Sequence, residues 1–470
     1  MKPLIAAAAA LAVASAAPAP AGAQERTLDI EIPYQSFTLD NGLRVLVHED
    51  HEVPIVSVNL WYRVGSANER PGRTGFAHLF EHLMFEGSQH VPQGEFDNLL
   101  ESAGGINNGS TNSDRTNYWE TVPSNALELA LWLEADRMGG LLPTMTQEKL
   151  DQQRGVVKNE RRQSYENRPY GMAWETVLSE LYPAEHPYHW PTIGSMADLD
   201  AAALEDVSQF FRTYYAPNNA ILAIAGDVTV AHARELVERY FAGIPRGPAV
   251  PEIDAPPVGL AEDRRRVLED DVTLPRLYMA WHSPEYFTDG DAAMDVLADV
   301  LADGKSSRLY RTLVYERQVA QDVSAFQNSG GIGSSFWVVV TARPDVDLTQ
   351  MERTVREEIA RLAAEGPTGR EVERVVNGIE TDFVDALQNV GGFGGKADRL
   401  NMYEFHVGDP GYAQQDLERY ARQTPANVRD AARRWLRDAH AVVLSVVPEG
   451  REDLAARREA SEPAAREATR

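Results

Sequence analysis

Cysteine is absent from the 470 residues. Disulfide bonds, thiolate metal ligands and a cysteine nucleophile are therefore excluded together. Positive charge is scarce: 45 Lys and Arg stand against 71 Asp and Glu, a formal charge of -26. A surface of that sign repels phosphate backbones, so no nucleic-acid partner is expected. No apolar run reaches the roughly 20 residues that cross a bilayer, so no stable membrane span is expected either. A phosphate-cradling G-x-x-x-x-G-K-[ST] segment is also missing. The glycine-rich stretch Gly391-Gly392-Phe393-Gly394-Gly395 reads as a flexible turn, not as a nucleotide fingerprint.

What remains is ordinary globular composition, 43% hydrophobic and 25% charged, in a chain long enough for two or three domains. Residues 1–23 read as a signal peptide: Lys2 gives a positive start, Leu4 to Ala14 an apolar run, and Ala21-Gly22-Ala23 a small-residue cleavage pattern before Gln24. An exported product, periplasmic or secreted, is expected. From 24 to 243 strand-like alternation (Phe37, Leu39; Leu43, Val45, Val47; Val56, Val58, Leu60) gives way to helical patterns at Gly75–Phe85, Phe96–Ala103, Asn125–Leu142 and Thr146–Tyr165. Ser124 is the expected N-cap of the third helix. Residues 244–260, with Pro245, Pro248, Pro251, Pro256 and Pro257, read as a linker. Strand and helix patterns then begin again over 261–448, including helices at Asp289–Ala302, Ser307–Gln318 and Leu348–Ala363, and 449–470 reads as a poorly ordered tail. The expected class is α+β, two similar halves, each an antiparallel-rich sheet packed against helices.

Chemistry is concentrated in His78-Leu79-Phe80-Glu81-His82. On a helix advancing about 100° per residue, His82 lies about 40° round from His78 and Glu81 about 60° to the other side. Three polar groups thus share a face while Leu79, Leu83 and Phe85 can be buried. Two imidazoles at i and i+4 can reach one tetrahedral Zn2+, and the carboxylate beside them can take a proton from water that the metal activates. The order reverses H-E-x-x-H and keeps its geometry. Such a zinc site needs a third protein ligand. Asp114, Glu120, Glu134, Asp136, Glu148 and Glu160 are all candidates, and periodicity does not choose among them. Glu160 follows Val156-Val157 and could turn inward beside a packed stripe.

With these residues in view, the chain resembles the pitrilysin-type metallopeptidases, family M16, whose signature is H-x-x-E-H followed well downstream by a ligating Glu. Here these are H-L-F-E-H at 78–82 and V-V-K-N-E at 156–160. G-G-I-N-N-G-S-T-N-S-D-R-T-N-Y at 104–118, H-P-Y at 186–188, Y-A-P-N-N-A at 215–220, G-K-S-S-R-L-Y at 304–310 and G-K-A-D-R-L at 395–400 extend the resemblance over essentially the whole chain after residue 23.

The resemblance implies a two-domain subunit and a zinc-dependent endopeptidase or oligopeptidase acting on extended or unfolded peptides. His78, His82 and Glu160 would hold Zn2+ and Glu81 would be the general base. Gly105–Tyr118 would include an edge strand that pairs with the substrate backbone, with Asn108 and Thr111 near the cleft. It also implies a dimer, with a second copy or with a homologous non-catalytic subunit. The alternative it leaves is a zinc-bearing or non-catalytic, peptide-binding subunit of an exported M16-like complex.

Two departures from the family stand out. Gln153 occupies the position, seven residues before Glu160, where relatives often carry a second glutamate. Val314 and Gln321 stand where full-length relatives place an Arg and a Tyr aimed at the substrate. Part of the transition-state clamp is thus expected from a partner subunit, with Arg308 or Tyr310 as substitutes within the chain.

Overall fold

The alternation of Val56, Val58 and Leu60 predicts a strand with one buried face. In the computed structural model, which describes residues 30–458, that strand is buried on both faces. It is central in a six-stranded sheet made of β1 (Gln35–Thr38), β2 (Arg44–Glu49), β3 (Ile55–Tyr62), β4 (Ile106–Thr111), β5 (Thr116–Pro123) and β6 (Ala220–Gly226), in the order β1-β2-β6-β3-β5-β4. Only β2 and β6 are parallel. A second sheet contains β7 (Arg264–Asp270), β8 (Arg276–Ser283), β9 (Ala320–Asn328), β10 (Ser334–Ala342) and β11 (Val442–Pro448), ordered β7-β11-β8-β10-β9, with only β7 and β11 parallel. The class is α+β in two halves, and from Glu31 onward both belong to one body.

Each half packs its own helices on one face of its sheet. Helices Phe76–Leu83, Leu127–Gly140 and Val230–Phe241 bury Leu79, Phe80, Leu131 and Phe241 against Val45, Val58 and Leu60. In the second half, Asp291–Ala302 and Leu348–Glu365 bury Leu297, Leu301, Val355 and Ile359 against β8 and β10.

The opposite faces are covered crosswise. Helix Ala173–Leu181 of the first half lies on β8 and β11, where Trp174 stacks on Trp337 with ring centroids 4.4 Å apart, and Val177, Leu178 and Leu181 join Val442 and Leu444 in a third core. Helix Lys396–His406 of the second half lies across β3 and β6. Asp398 makes that crossing specific: its Oδ1 accepts from Asn59 Nδ2 at 3.1 Å, Trp61 Nε1 at 2.9 Å and Asn117 Nδ2 at 3.2 Å. Lys396 Nζ donates to Asp50 Oδ2 at 2.6 Å, and Arg63 donates to the carbonyls of Glu404 and Phe405 near the other end of the helix. The polar residues of β3 therefore point into an interface between the halves and not into water.

Several expectations are corrected. The fourth helix is regular only over Gln147–Arg161, capped by the Thr146 side chain, and then widens into a π-helical turn, Arg162–Glu166. The Ser307–Gln318 pattern is largely π-helical, Tyr310–Glu316. Ser124 makes no side-chain cap; it opens a 3-10 turn, Ser124–Ala126, ahead of helix Leu127–Gly140. Gly391 is pressed onto the first sheet, where a Cβ would lie 2.2 Å from Thr121 Oγ1 and 2.5 Å from Ser57 Oγ. Residues 449–458, placed in the tail by composition, fold back: Leu454 and Ala455 are buried in the second core, and Ala456 N–H donates to Ser445 Oγ at 3.0 Å. Their small apolar side chains find a gap against β11. The signal-peptide segment 1–23 and residues 459–470 lie outside the described residues. Residues 244–260 carry neither helix nor strand, and no described helix is long and apolar enough to cross a membrane.

Asp398→Ala leaves three donors facing a removed acceptor, so it is expected to destabilise the fold by about 3 kcal/mol. The urea unfolding midpoint reads this directly.

Candidate active site

Helix Phe76–Leu83 begins where Gly75 takes φ +85°, a conformation that favours glycine, at a point where a Cβ would come within 2.8 Å of the Ile193 carbonyl oxygen. Its first amides are held by Glu69, whose carboxylate oxygens accept from Gly75 N–H at 3.0 Å and Ala77 N–H at 2.8 Å. The carboxyl oxygens satisfy two of the orphan amides of the helix N-terminus, although burial pushes the Glu69 pKa up to about 8. Phe76, Ala77, Leu79, Phe80 and Leu83 are buried, which turns His78, Glu81 and His82 outward together.

The three groups that converge are His78, His82 and Glu160. Nε2 of His78 and Nε2 of His82 are 3.3 Å apart, and Glu160 Oε2 lies 3.6 Å from the first and 3.4 Å from the second. Among the described residues this is the one cluster of three His, Asp or Glu side chains with donor atoms this close together. The set fits zinc: an ion about 2.1 Å from tetrahedral ligands separates them by about 3.4 Å, and two imidazoles with one carboxylate leave a fourth position open. Burial lowers the pKa of His78, and the His82 ring beside it holds the Glu160 carboxyl below the usual carboxylate range. Neutral imidazole and ionised carboxylate are the forms that bind a cation.

The other acids considered as third ligand are engaged elsewhere. Glu120 and Glu134 are buried on Arg137; Asp136 accepts from Ser88 and pairs with His90; Asp114 accepts from Tyr188 and from Gly331 N–H; Glu148 is exposed. Gln153 is buried and donates to Glu86, which lies near enough to His82 for the two charges to act on each other. A carboxylate thus stands near the ligands although position 153 carries none. Glu69 and Glu86 went unnoticed in the sequence, where the only signal was an acid shortly before or after the histidine helix.

Glu81 faces the edge strand β4. The strand passes so close that a methyl group on Gly109 would lie 3.4 Å from Glu81 Cγ. Among the described residues β4 pairs only with β5, and its other edge is open. Gly109 N–H donates to its own neighbour, Asn108 Oδ1, at 2.8 Å. Asn108 is exposed, and strand alternation puts its side chain on the face of the sheet away from Glu81. Thr111 lies on the Glu81 face of β4, its Oγ1 3.3 Å from Thr116 Oγ1, and lines a polar cavity of about 170 Å3 between the halves.

The residues of the second half expected as a clamp or as its substitutes are engaged or exposed elsewhere. Arg308 is tied to Glu371 by bonds of 2.7 and 2.9 Å and to Glu358, while Tyr310 and Val314 pack on the second core and Gln321 is exposed. Arg308 is therefore a structural cation joining helices Leu348–Glu365 and Gly369–Ala386, not a substitute clamp.

Behind the site lies a buried ion cluster. The Arg137 guanidinium sits over the rings of Tyr118, Phe96 and Phe85, 4.2, 4.6 and 5.2 Å from their centroids, and bonds to both Glu134 and Glu120. Burial, reinforced by the neighbouring Glu134 charge, pushes the Glu120 carboxyl well up.

The chain is similar to known proteins in sequence and in fold. The family description "Insulinase (Peptidase family M16)" matches residues 44–187, and "Peptidase M16 inactive domain" matches 202–379. The zinc protease PqqE of Helicobacter pylori is 30% identical over 363 residues, covering 76% of this chain and 80% of that protein. The crystal structure of a protease from Helicobacter pylori superposes with a TM-score of 0.83 at 26% identity, covering 89% of this chain and all of that one. The periplasmic protease PqqL of Escherichia coli shares the fold, with a TM-score of 0.70 at 19% identity, over 88% of this chain but 47% of its own.

The buried cluster makes two predictions. Arg137→Met removes the cation that holds two buried acids and is expected to cost about 4 kcal/mol at neutral pH. Glu120→Gln puts a group that does not titrate in place of one that does, and near pH 4 it is expected to change stability by less than about 1 kcal/mol. Because the folded pKa of Glu120 is raised, its contribution is fully present below the unfolded pKa of about 4.3 and lost as pH rises toward the folded value. Denaturant titrations from pH 4 to 8 should show Glu120→Gln gaining on the wild type with increasing pH.

Proposed function

The chain belongs to peptidase family M16, and on that premise we propose that it is a zinc-dependent endopeptidase or oligopeptidase that hydrolyses extended or unfolded peptides. The observation that carries this reading is the triangle of His78, His82 and Glu160 donor atoms, 3.3 to 3.6 Å on a side, beside Glu81 and an open strand edge. When bound to these three side chains, zinc supplies Lewis-acid chemistry, polarising a carbonyl oxygen and making water a stronger acid.

The remaining work falls to the chain's own groups. A peptide laid along β4 pairs its backbone with the strand, so recognition rests on main-chain hydrogen bonds and makes little demand on side chains. A substrate carbonyl takes the place of Asn108 Oδ1 at the Gly109 amide, which fixes the peptide in register opposite Glu81. The Glu81 carboxylate removes the proton from the attacking water and returns it to the departing amine. Glu69 and the buried face of helix Phe76–Leu83 hold Glu81 at a fixed distance from β4, so the proton acceptor is oriented before substrate arrives. Glu86 and the neutral His78 ring favour a cation in the triangle.

The chain works as a dimer in this reading, with a second copy or a homologous chain supplying donors over the open site. Two facts support a partner: Arg308, Val314 and Gln321 offer no free donor there, and the fold occupies only about half of PqqL. The signal-peptide pattern of residues 1–23 supports the same reading for its location, outside the cytoplasm, periplasmic or secreted.

Glu81→Gln is expected to retain zinc in a one-to-one ratio, by metal analysis of the purified chain, while kcat on an unfolded peptide falls about a thousandfold. Glu160→Gln is expected to lose zinc together with activity, and a chelator should reproduce that loss in the wild type. Normal turnover by Glu81→Gln would remove the proposed base and the mechanism with it.

A further inference from the structure

We propose that the groove between the outer face of β4–β5 and the loop 387–393 is a side-chain subsite for a bulky apolar residue of the bound peptide. This rests on the reading of β4 as the strand that receives substrate.

Alternation along β4 divides its residues. Asn107 donates to Asp97 at 2.8 Å on the helical side, where Gly109 meets Glu81. Ile106, Asn108 and Ser110 share the opposite face with Thr121, Trp119 and Asn117 of β5. A peptide added to the open edge continues the sheet, so its side chains divide the same way. One set turns toward Glu81. The alternate set turns over the Trp119 face, where the loop 387–393 of the second half stands opposite.

That face carries a cavity of about 550 Å3, with Ile106, Trp119 and Thr121 on one wall and Leu387, Val390 and Gly391 on the other. Ile106 in its wall is 63% exposed, and Phe393, next to the lining residue Gly392 and edge-on to Trp119 at 5.6 Å, is 51% exposed. Trp119 is itself 7% exposed, and its indole N–H, buried in the wall, has no hydrogen-bond partner among the described residues. A peptide residue brings an apolar side chain for the open hydrocarbon. The residue facing Ile106 sits three positions from the one facing Gly109, about 10 Å along an extended strand. With the residue facing Gly109 adjoining the cleaved bond and the three steps crossing it, the subsite reads the third residue on the far side of that bond.

The test profiles cleavage of a peptide library randomised at each of four positions on both sides of one fixed cleavable bond, using the full zinc-loaded chain. Peptide binding to Glu81→Gln is followed in parallel. The wild type should prefer Phe, Leu or Met over Gly by about tenfold in kcat/KM at the third residue on one side. Phe393→Ala and Ile106→Ser, both changes at exposed side chains, should each bring that ratio to within about twofold, and should weaken Glu81→Gln binding of the Phe peptide more than of the Gly peptide. If the preference is absent, or survives both substitutions, the subsite is wrong while peptide cleavage still upholds the peptidase reading. If the wild type cleaves no peptide and Glu81→Gln binds none, the peptidase reading fails and takes the subsite with it.

Discussion

The crosswise exchange of two helices is the constraint on which the rest of the structure depends. Each sheet is closed on one face by its own helices and on the other by a helix from the other half: Lys396–His406 over β3 and β6, Ala173–Leu181 over β8 and β11. Neither sheet could bury both faces alone, and an uncovered Trp61, Trp337 or Leu444 would leave a large apolar patch in water. Asp398, with three donors from β3 and β5 on one oxygen, gives this packing its polar specificity. Because β3 and β5 are locked from behind, β4 is held at a fixed height beside Glu81.

The same logic separates the roles of the halves. Among the described residues the histidine and glutamate triangle lies wholly in the first half, and the second half has no comparable cluster. Its conspicuous polar residues are spent on architecture: Arg308 joins two helices, and Arg419 bridges Asp291 and Asp416. The second half acts on the site by positioning, through the helix behind the first sheet and the loop beside β4.

How much of this was legible in the sequence depended on whether the signal was local. His78, Glu81 and His82 lie within one and a half turns of a helix, so their shared face follows from helical geometry alone. Both α+β halves announced themselves through alternation and helical stripes. The third member of the triangle was not local: six acids were open by residue type, and only tertiary packing brings Glu160 between two imidazoles while burying Glu120 and Glu134 on Arg137. Asn59 and Ser57 looked like the wet side of a strand because a polar residue facing a partner helix and one facing water look alike in a linear pattern. Leu454 and Ala455 were hidden by the charged, Ala-rich stretch around them, and Glu69 by its distance from the helix it caps.

An open strand edge has a further consequence. Whatever accepts the backbone of many peptides can also accept the backbone of another copy of itself, the route by which exposed edges seed aggregates. β4 reads Ile-Asn-Asn-Gly-Ser-Thr, short, with four small or amide residues at its centre and no aromatic side chain. Such a segment has little β-propensity and little to interdigitate, so two copies laid side by side gain almost nothing beyond their hydrogen bonds. Colloidal safety and tolerance of diverse ligands are met by the same six residues.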